Sequence, residues 1–192
     1  VGFGRTGTLF ACEQSGITPD FMCLSKGLTA GYLPLSVVLT TDTVYNAFYD
    51  DYETMRAFLH SHSYTGNPIG CAVALATLDI FRDENVIENN RQLSRCMAES
   101  VAHLADHPNV GDIRQHGMTM AIEMVKDKAS KTPFPWQERR GIRVYKHSLT
   151  RQALLRPLGN VLYFMPPYVI TEEQIRHLAQ VATEGIEIAV KD

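Results

Sequence analysis

A lysine at the end of an apolar strand can act as a nucleophile, and Lys26 in "FMCLSKG" is so placed. A glycine-containing loop follows it. An amine there can project into a cleft at the carboxyl edge of a sheet. Partial burial and a nearby cation would favour its neutral form and Schiff-base chemistry. The same spacing fits a solvated loop lysine, so spacing alone leaves both open. The stretch "LHSHSYTGN" (59–67) sets Ser61, Ser63, Tyr64 and Thr65 just ahead of a helix start at Asn67-Pro68. Small hydroxyls beside free helix amides suit a phosphate. Simple capping by Asn67 explains the pattern as well. His60 and His62 would share a face only on an extended strand. No third ligand accompanies them, so no metal is expected. In "LLRPLGNVLYFMPPY", Arg156 is a guanidinium at a strand end, the group that takes a carboxylate bidentately. Tyr163 lies in the returning strand. A surface ion pair and a packed tyrosine would read the same way.

Near the start, Gly2-Phe3-Gly4-Arg5-Thr6-Gly7 matches the G-x-G-x-x-G dinucleotide fingerprint letter for letter. Its context does not. That fingerprint needs a strand before it, a helix opening at its glycines, and an acidic residue about 20 positions on, after a second strand. No strand is visible ahead of the motif. Gly16 and Pro19 break any helix after about two turns. Asp20 precedes an apolar run instead of following one. The stretch reads as a glycine-rich loop that presents Arg5.

These residues must be positioned by surrounding elements. "FMCLS" (21–25) reads as a buried strand and "LSVVLTT" (35–41) as the next. "DTVYNAFYDD" reads as a short helix capped by Asp42 or Thr43. A helix over 68–82 shows an apolar face of Ile69, Val73, Leu75, Leu78 and Phe81. A second, over 85–105, carries Val86, Leu93, Met97, Val101 and Leu104. Beyond Pro108, "MTMAIEMV" (118–125) alternates as a strand does, and "KDKASKTPFP" reads as a loop. Residues 136–151 have helical periodicity through Ile142, Tyr145 and Leu149. "ALLRPL" and "NVLYFMPP" read as strands joined by a turn at Gly159-Asn160. "TEEQ" (171–174) is a capping box opening a last helix with Ile175, Leu178, Val181 and Ile186.

The 192 residues are 45% hydrophobic and 20% charged, with a formal net charge of -3. That is ordinary soluble globular composition. The mildly acidic balance gives no support for a nucleic-acid or membrane-surface partner. No apolar run approaches the ~20 residues that span a bilayer. Cys12, Cys23, Cys71 and Cys96 form no C-x-x-C pair, which fits reduced thiols in a cytoplasmic protein. A boundary falls near 105–110. The part before it holds too few strands to close an α/β sheet alone, and the sequence starts inside a motif with Val1, so a fragment of a longer protein is expected.

"GFGRTG", "CLSKGLTAGYLPLS", "HSYTGNP" and "RPLGNVLYFMPPY" occur in one order, and in that order the chain resembles the class III (subgroup II) aminotransferases. These are pyridoxal 5'-phosphate (PLP) enzymes of fold type I, and the resemblance covers nearly the whole chain as their C-terminal half. It implies an α/β fold. Residues 1–107 would form the C-terminal part of the PLP-binding large domain with linking helices. Residues 108–192 would form a small α+β domain. It implies Lys26 as the catalytic Schiff-base lysine, which also moves a proton at the substrate. Ser63 matches a position that holds the cofactor phosphate from the neighbouring subunit of a homodimer. His62 and Ser61 line the same turn, beside cofactor and substrate respectively. Arg156 matches the arginine that takes the substrate carboxylate, and Arg5 and Tyr163 match substrate-pocket positions. A keto acid and an amino donor are the implied small-molecule partners, in a ping-pong cycle. Family members carry an Asp-Glu pair just ahead of "GFGR", whose Asp holds the pyridine nitrogen protonated. With that pair outside the sequence, the chain alone is expected to be inactive. Other members of the family (ornithine, 4-aminobutyrate or ω-amino-acid aminotransferases) and a non-catalytic interaction module remain alternatives.

Overall fold

The computed structural model describes residues 2–191. By its contacts the chain forms two compact units: residues 2–3 with Thr8–Val86, and Gly4–Gly7 with residues 87–191. No described helix is long and apolar enough to cross a membrane.

The first unit opens with turns and a one-turn helix, α1 (Cys12–Ser15), closed by Gly16 at φ 63°. No long helix rises from the glycine motif, as its broken context predicted. Strands β1 (Phe21–Leu24) and β2 (Val37–Thr40) pair antiparallel, with Leu24 opposite Val37. Between them a 3-10 turn runs over Lys26–Thr29. Strand β1 is not buried as expected: Phe21 is 58% exposed. A two-stranded ribbon covers neither of its own faces. Helix α2 (Asp42–Asn46) starts one residue earlier than the predicted caps, with Thr41 at the N-cap position.

Helix α3 (Pro68–Asp83) begins as the sequence dictates: Pro68 needs no N–H in the first turn, and Asn67 Oδ1 accepts the Ile69 N–H at 3.0 Å. Its buried face is different from the predicted one. Gly70, Ala74 and Thr77 are buried, whereas Ile69, Leu75 and Leu78 are exposed. Small residues let the helix approach the Lys26–Thr29 turn closely, and bulk went to the other side. The small core here gathers Phe3, Leu28 and Ala74, with Leu24, Leu35 and Phe81 packed around it.

In the second unit, α4 (Val86–Val101) leads through a 3-10 segment, Ala102–Asp106, into an antiparallel sheet. Its main path runs β3 (Val110–His116), β4 (Thr119–Asp127), β7 (Val161–Phe164), β6 (Arg156–Leu158). The short β5 (Thr132–Pro133) pairs with β4 inside the segment expected to be loop. Strand β3 has no counterpart in the sequence reading. Helices α5 (Arg140–Thr150) and α6 (Glu172–Ala189) complete the unit. The core gathers Met97, Leu104, Met120, Ile122, Met124, Leu162 and Phe164 with Val144, Ile175, Val181 and Ile186. The strands alternate as predicted: Met120, Ile122 and Met124 point inward, Ala121 and Glu123 outward. On α5 the buried face is Arg140, Gly141, Val144 and Ser148, while the predicted Leu149 is 50% exposed. Thr171 and Gln174 form the predicted capping box.

Candidate active site

Lys26 sits where β1 ends and the 3-10 turn begins. Its backbone is left-handed, φ 52°, a conformation unfavourable for a side chain bearing a Cβ. Local bonds hold it there. The Gly31 N–H donates to Lys26 O at 3.3 Å, and the Leu28 N–H to Ser25 O at 3.2 Å. Thr29, fully buried, donates its hydroxyl to Leu33 O at 2.6 Å. Gly27 admits the Phe3 ring against the backbone, where a Cβ would lie 2.8 Å from Phe3 Cδ2. The Lys26 side chain is exposed, and no described residue pairs with its amine. Strained backbone at a lysine with an unengaged amine is a frequent mark of function.

Ser61, His62 and Ser63 are exposed and lead into α3. A tight turn fixes them. The Thr65 N–H donates to His62 O at 2.9 Å, and the His62 N–H to Thr65 Oγ1 at 3.0 Å. His62 Nδ1 accepts the Tyr64 N–H at 3.2 Å, and Gly66 closes the turn at φ 71°. The His62 imidazole thus shapes the turn. No hydrogen bond, ion pair or ring contact joins Lys26 to Ser61, His62 or Ser63 among the described residues.

In the second unit, Arg156 and Tyr163 face each other across β6 and β7. Tyr163 in turn faces Ala121, and Ala121 faces Arg114. These four form one row on the sheet face away from the core. Arg114 is committed, at 2.7 Å to Glu123 and 2.9 Å to Asp112. Its guanidinium holds the Asp112 carboxyl below the usual range. No described carboxylate pairs with Arg156. The row therefore leaves one free guanidinium beside a phenol, an arrangement suited to a substrate carboxylate.

Arg5 is held by the same unit. Its Nη1 donates to Pro166 O at 2.7 Å, and its guanidinium lies 4.5 Å from the Tyr168 ring centroid. Burial raises the pKa of Tyr168, with the Arg5 charge opposing. The loop carrying Arg5 is seated on the β3–β4 turn: the Met118 N–H donates to Arg5 O at 2.9 Å. Gly117, φ 57°, makes that seat possible, since a Cβ there would lie 2.5 Å from Thr6 C. Sequence reasoning missed both Tyr168 and Gly117. The "HG" ahead of the alternating strand was the one available signal for the turn.

The first unit thus offers an amine without a described partner at Lys26 and a hydroxyl-bearing turn before α3, and the second, taken by itself, an arginine without a described carboxylate partner opposite Tyr163. The class III aminotransferase family matches residues 1–186, and the chain belongs to that family. It is 48% identical over 190 residues to the adenosylmethionine-8-amino-7-oxononanoate aminotransferase of Geobacter sulfurreducens, covering 99% of this chain and 41% of that protein. The Helicobacter pylori protein of the same name is 49% identical over 180 residues, covering 92% of this chain and 39% of that protein. Among solved structures, the Methanocaldococcus jannaschii protein of that name superposes with a TM-score of 0.90 at 43% identity, covering 97% of this chain and 43% of that one. A Vibrio fluvialis aminotransferase in its PMP-bound form gives 0.90 at 34%, covering 98% of this chain and 42% of that one. The chain thus spans about two fifths of the length of these relatives. The fold is part of the α/β fold of PLP-dependent transaminases, and the family cofactor is PLP. The residues present fit that group. Lys26 has an unengaged amine, and the Ser63 hydroxyl stands in a turn ahead of a helix N-terminus, the setting a phosphate needs.

Proposed function

We propose that this chain is the C-terminal part of a cytoplasmic, homodimeric aminotransferase of biotin biosynthesis. It would transfer an amino group from S-adenosylmethionine to 8-amino-7-oxononanoate, giving 7,8-diaminononanoate. The observation that carries this reading is the identity gradient. Relatives bearing that name run from 35% to 49% identity, most of them above 40%, whereas transaminase structures of similar fold under other names stand at 30–34%. In the longer protein, residues 1–107 would belong to the large domain with linking helices and 108–192 to the small domain.

Lys26 and Ser63 would hold PLP, Ser63 reaching the phosphate of the neighbouring subunit, with His62 shaping the turn. When bound, PLP supplies an electron sink at the amino-bearing carbon. The Lys26 amine would move the proton at the substrate Cα. Arg156 orients the acceptor by its carboxylate, and Tyr163 packs beside it. Arg5, fixed by Pro166 O and Tyr168, and Ser61 border the substrate.

The test is turnover by the full-length protein, with S-adenosylmethionine or lysine as donor and 8-amino-7-oxononanoate as acceptor. The 4-aminobutyrate and ornithine reactions serve as controls. The expected result is turnover with the oxononanoate and a loss of at least about a thousandfold in kcat in Lys26→Ala. Preference for either control reaction would assign a different member of the family. Unchanged turnover in Lys26→Ala would remove the lysine from the chemistry.

A further inference from the structure

The segment "MPPY" (165–168) ends the stretch that carries Arg156 and Tyr163. Pairing of β4 with β7 stops at Met120 and Phe164. Pro166 and Pro167 lack the N–H that a ladder needs, so the chain leaves the sheet there. Pro166 is buried, and its carbonyl needs a donor in place of a neighbouring strand. Arg5 Nη1 supplies it at 2.7 Å, with Met118 O as a longer contact at 3.5 Å. The turn just beyond, in which the Ile170 N–H donates to Pro167 O at 3.2 Å, carries Tyr168. Its ring centroid lies 4.5 Å from Arg5 Cζ. All of these groups belong to the second unit.

This shell holds Arg5 without cancelling its charge. Carbonyls and a ring face are neutral, burial raises the Tyr168 pKa and so keeps the phenol protonated, and no described carboxylate pairs with Arg5. Arg114 is the opposite case, with two carboxylates within 2.9 Å. With Nη1 committed, Arg5 Nε and Nη2 have no described partner. Those two groups form one edge of the guanidinium, the side-on edge that takes a carboxylate bidentately. Affinity at that edge depends on its being aimed before the ligand arrives, since ordering a long side chain on binding weakens affinity. The bond to Pro166 O fixes one point and leaves the plane free to turn about it. The Tyr168 ring face limits that turning. We propose that Tyr168 is a positioning residue whose ring holds the Arg5 guanidinium in the plane that offers Nε and Nη2 to a substrate carboxylate. This rests on the reading that Arg5 borders the substrate.

The test uses the full-length protein loaded with PLP, with KM and kcat measured for S-adenosylmethionine and 8-amino-7-oxononanoate. Arg5→Gln should raise the KM of the substrate whose carboxylate Arg5 meets by at least about tenfold. Tyr168→Leu, at a half-buried position beyond the sheet, should raise the same KM by at least about fivefold and leave kcat within about twofold. Partial misfolding does not produce that split, because loss of active enzyme lowers kcat alone. Tyr168→Phe keeps the ring face and should hold KM within about twofold of the parent. In the Arg5→Gln background, Tyr168→Leu should add less than about twofold, since the two residues act as one unit. An unchanged KM in Tyr168→Leu, or effects that multiply in the double variant, would overturn the proposal while leaving Arg5 at the substrate. So would a KM in Tyr168→Phe as high as in Tyr168→Leu, which would place the effect in the hydroxyl. If Arg5→Gln left both KM values unchanged, the reading of Arg5 would fail and the proposal with it. A crystal structure of Tyr168→Leu gives a readout apart from turnover. The Arg5 guanidinium should turn about its bond to Pro166 O, and an unmoved plane would overturn the proposal whatever the substrates are.

Discussion

Arg114 and Arg156 stand at opposite ends of one row across the sheet, and their surroundings give them different work. Arg114 neutralises Asp112 and Glu123, both on its own face. Arg156 has Tyr163 opposite and no described carboxylate. If Arg156 takes the substrate carboxylate, Arg156→Gln should raise KM for the acceptor by about 10- to 100-fold, the worth of a hydrogen bond to a charged group. Arg114→Gln should leave KM within about twofold, since exposed ion pairs contribute little. Steady-state kinetics on the full-length protein reads both. An equal effect from the two variants would mean that general positive charge, and not the unpaired guanidinium, draws the substrate. The residue type and strand-end position of Arg156 were legible in sequence, but its freedom from acidic partners was not. That freedom depends on strand register, which puts Glu123 beside Arg114 and opposite Val161.

The elements were read with uneven success, and the reasons are physical. Helix α6 carries its own start signal in Thr171 and Gln174, which bond each other's backbone groups, so local sequence sufficed. The β6–β7 turn was equally local. Strand β3 was missed because Val110–His116 carries glycine and four polar or charged side chains; it exists through its pairing with β4. The faces of α3 and α5 were misplaced because large apolar residues were taken to mark the buried side. Where a helix crosses close, glycine and alanine are buried instead. At Gly185 on α6 an added Cβ would lie 2.6 Å from Val144 of α5. The β3–β4 turn shows the same logic with a functional consequence. Gly117→Ala places a Cβ in a left-handed backbone and against the Thr6 and Gly7 backbone. It should destabilise the second unit by about 2–4 kcal/mol, seen as a lower denaturation midpoint. Arg5, whose carbonyl accepts the Met118 N–H, should shift with it. Gly117→Asn, better tolerated at positive φ, should restore little, because the clash is with backbone. Full recovery by Asn would show that conformation alone, and not close approach, demands glycine.

At the scale of the whole chain, the two units differ most in what they bury. Among the described residues, the second unit closes a hydrophobic core running from Cys96 to Ala189, whereas the hydrophobic core of the first has only Phe3, Leu28 and Ala74 as its buried members. The first unit also leaves Phe21, Val38, Leu39, Phe58, Leu59 and Ile69 exposed, a density of large apolar surface that marks contact with further protein. Under the proposed function, that further protein is the remainder of the large domain and the second subunit. Local opening follows buried apolar contact, so amide exchange distinguishes the units. In the 192-residue chain, β4, β7 and α6 should exchange at least about a hundredfold more slowly than β1, β2 and α3. In the full-length protein the slow set should change little, while β1, β2 and α3 should gain protection of similar size. Uniform protection in the short chain would mean that a core of three buried hydrophobic residues holds the first unit as well as the large core holds the second. Equal exchange of β1, β2 and α3 in the short and full-length proteins would mean that the exposed apolar face meets no further protein, and would count against the fragment reading itself.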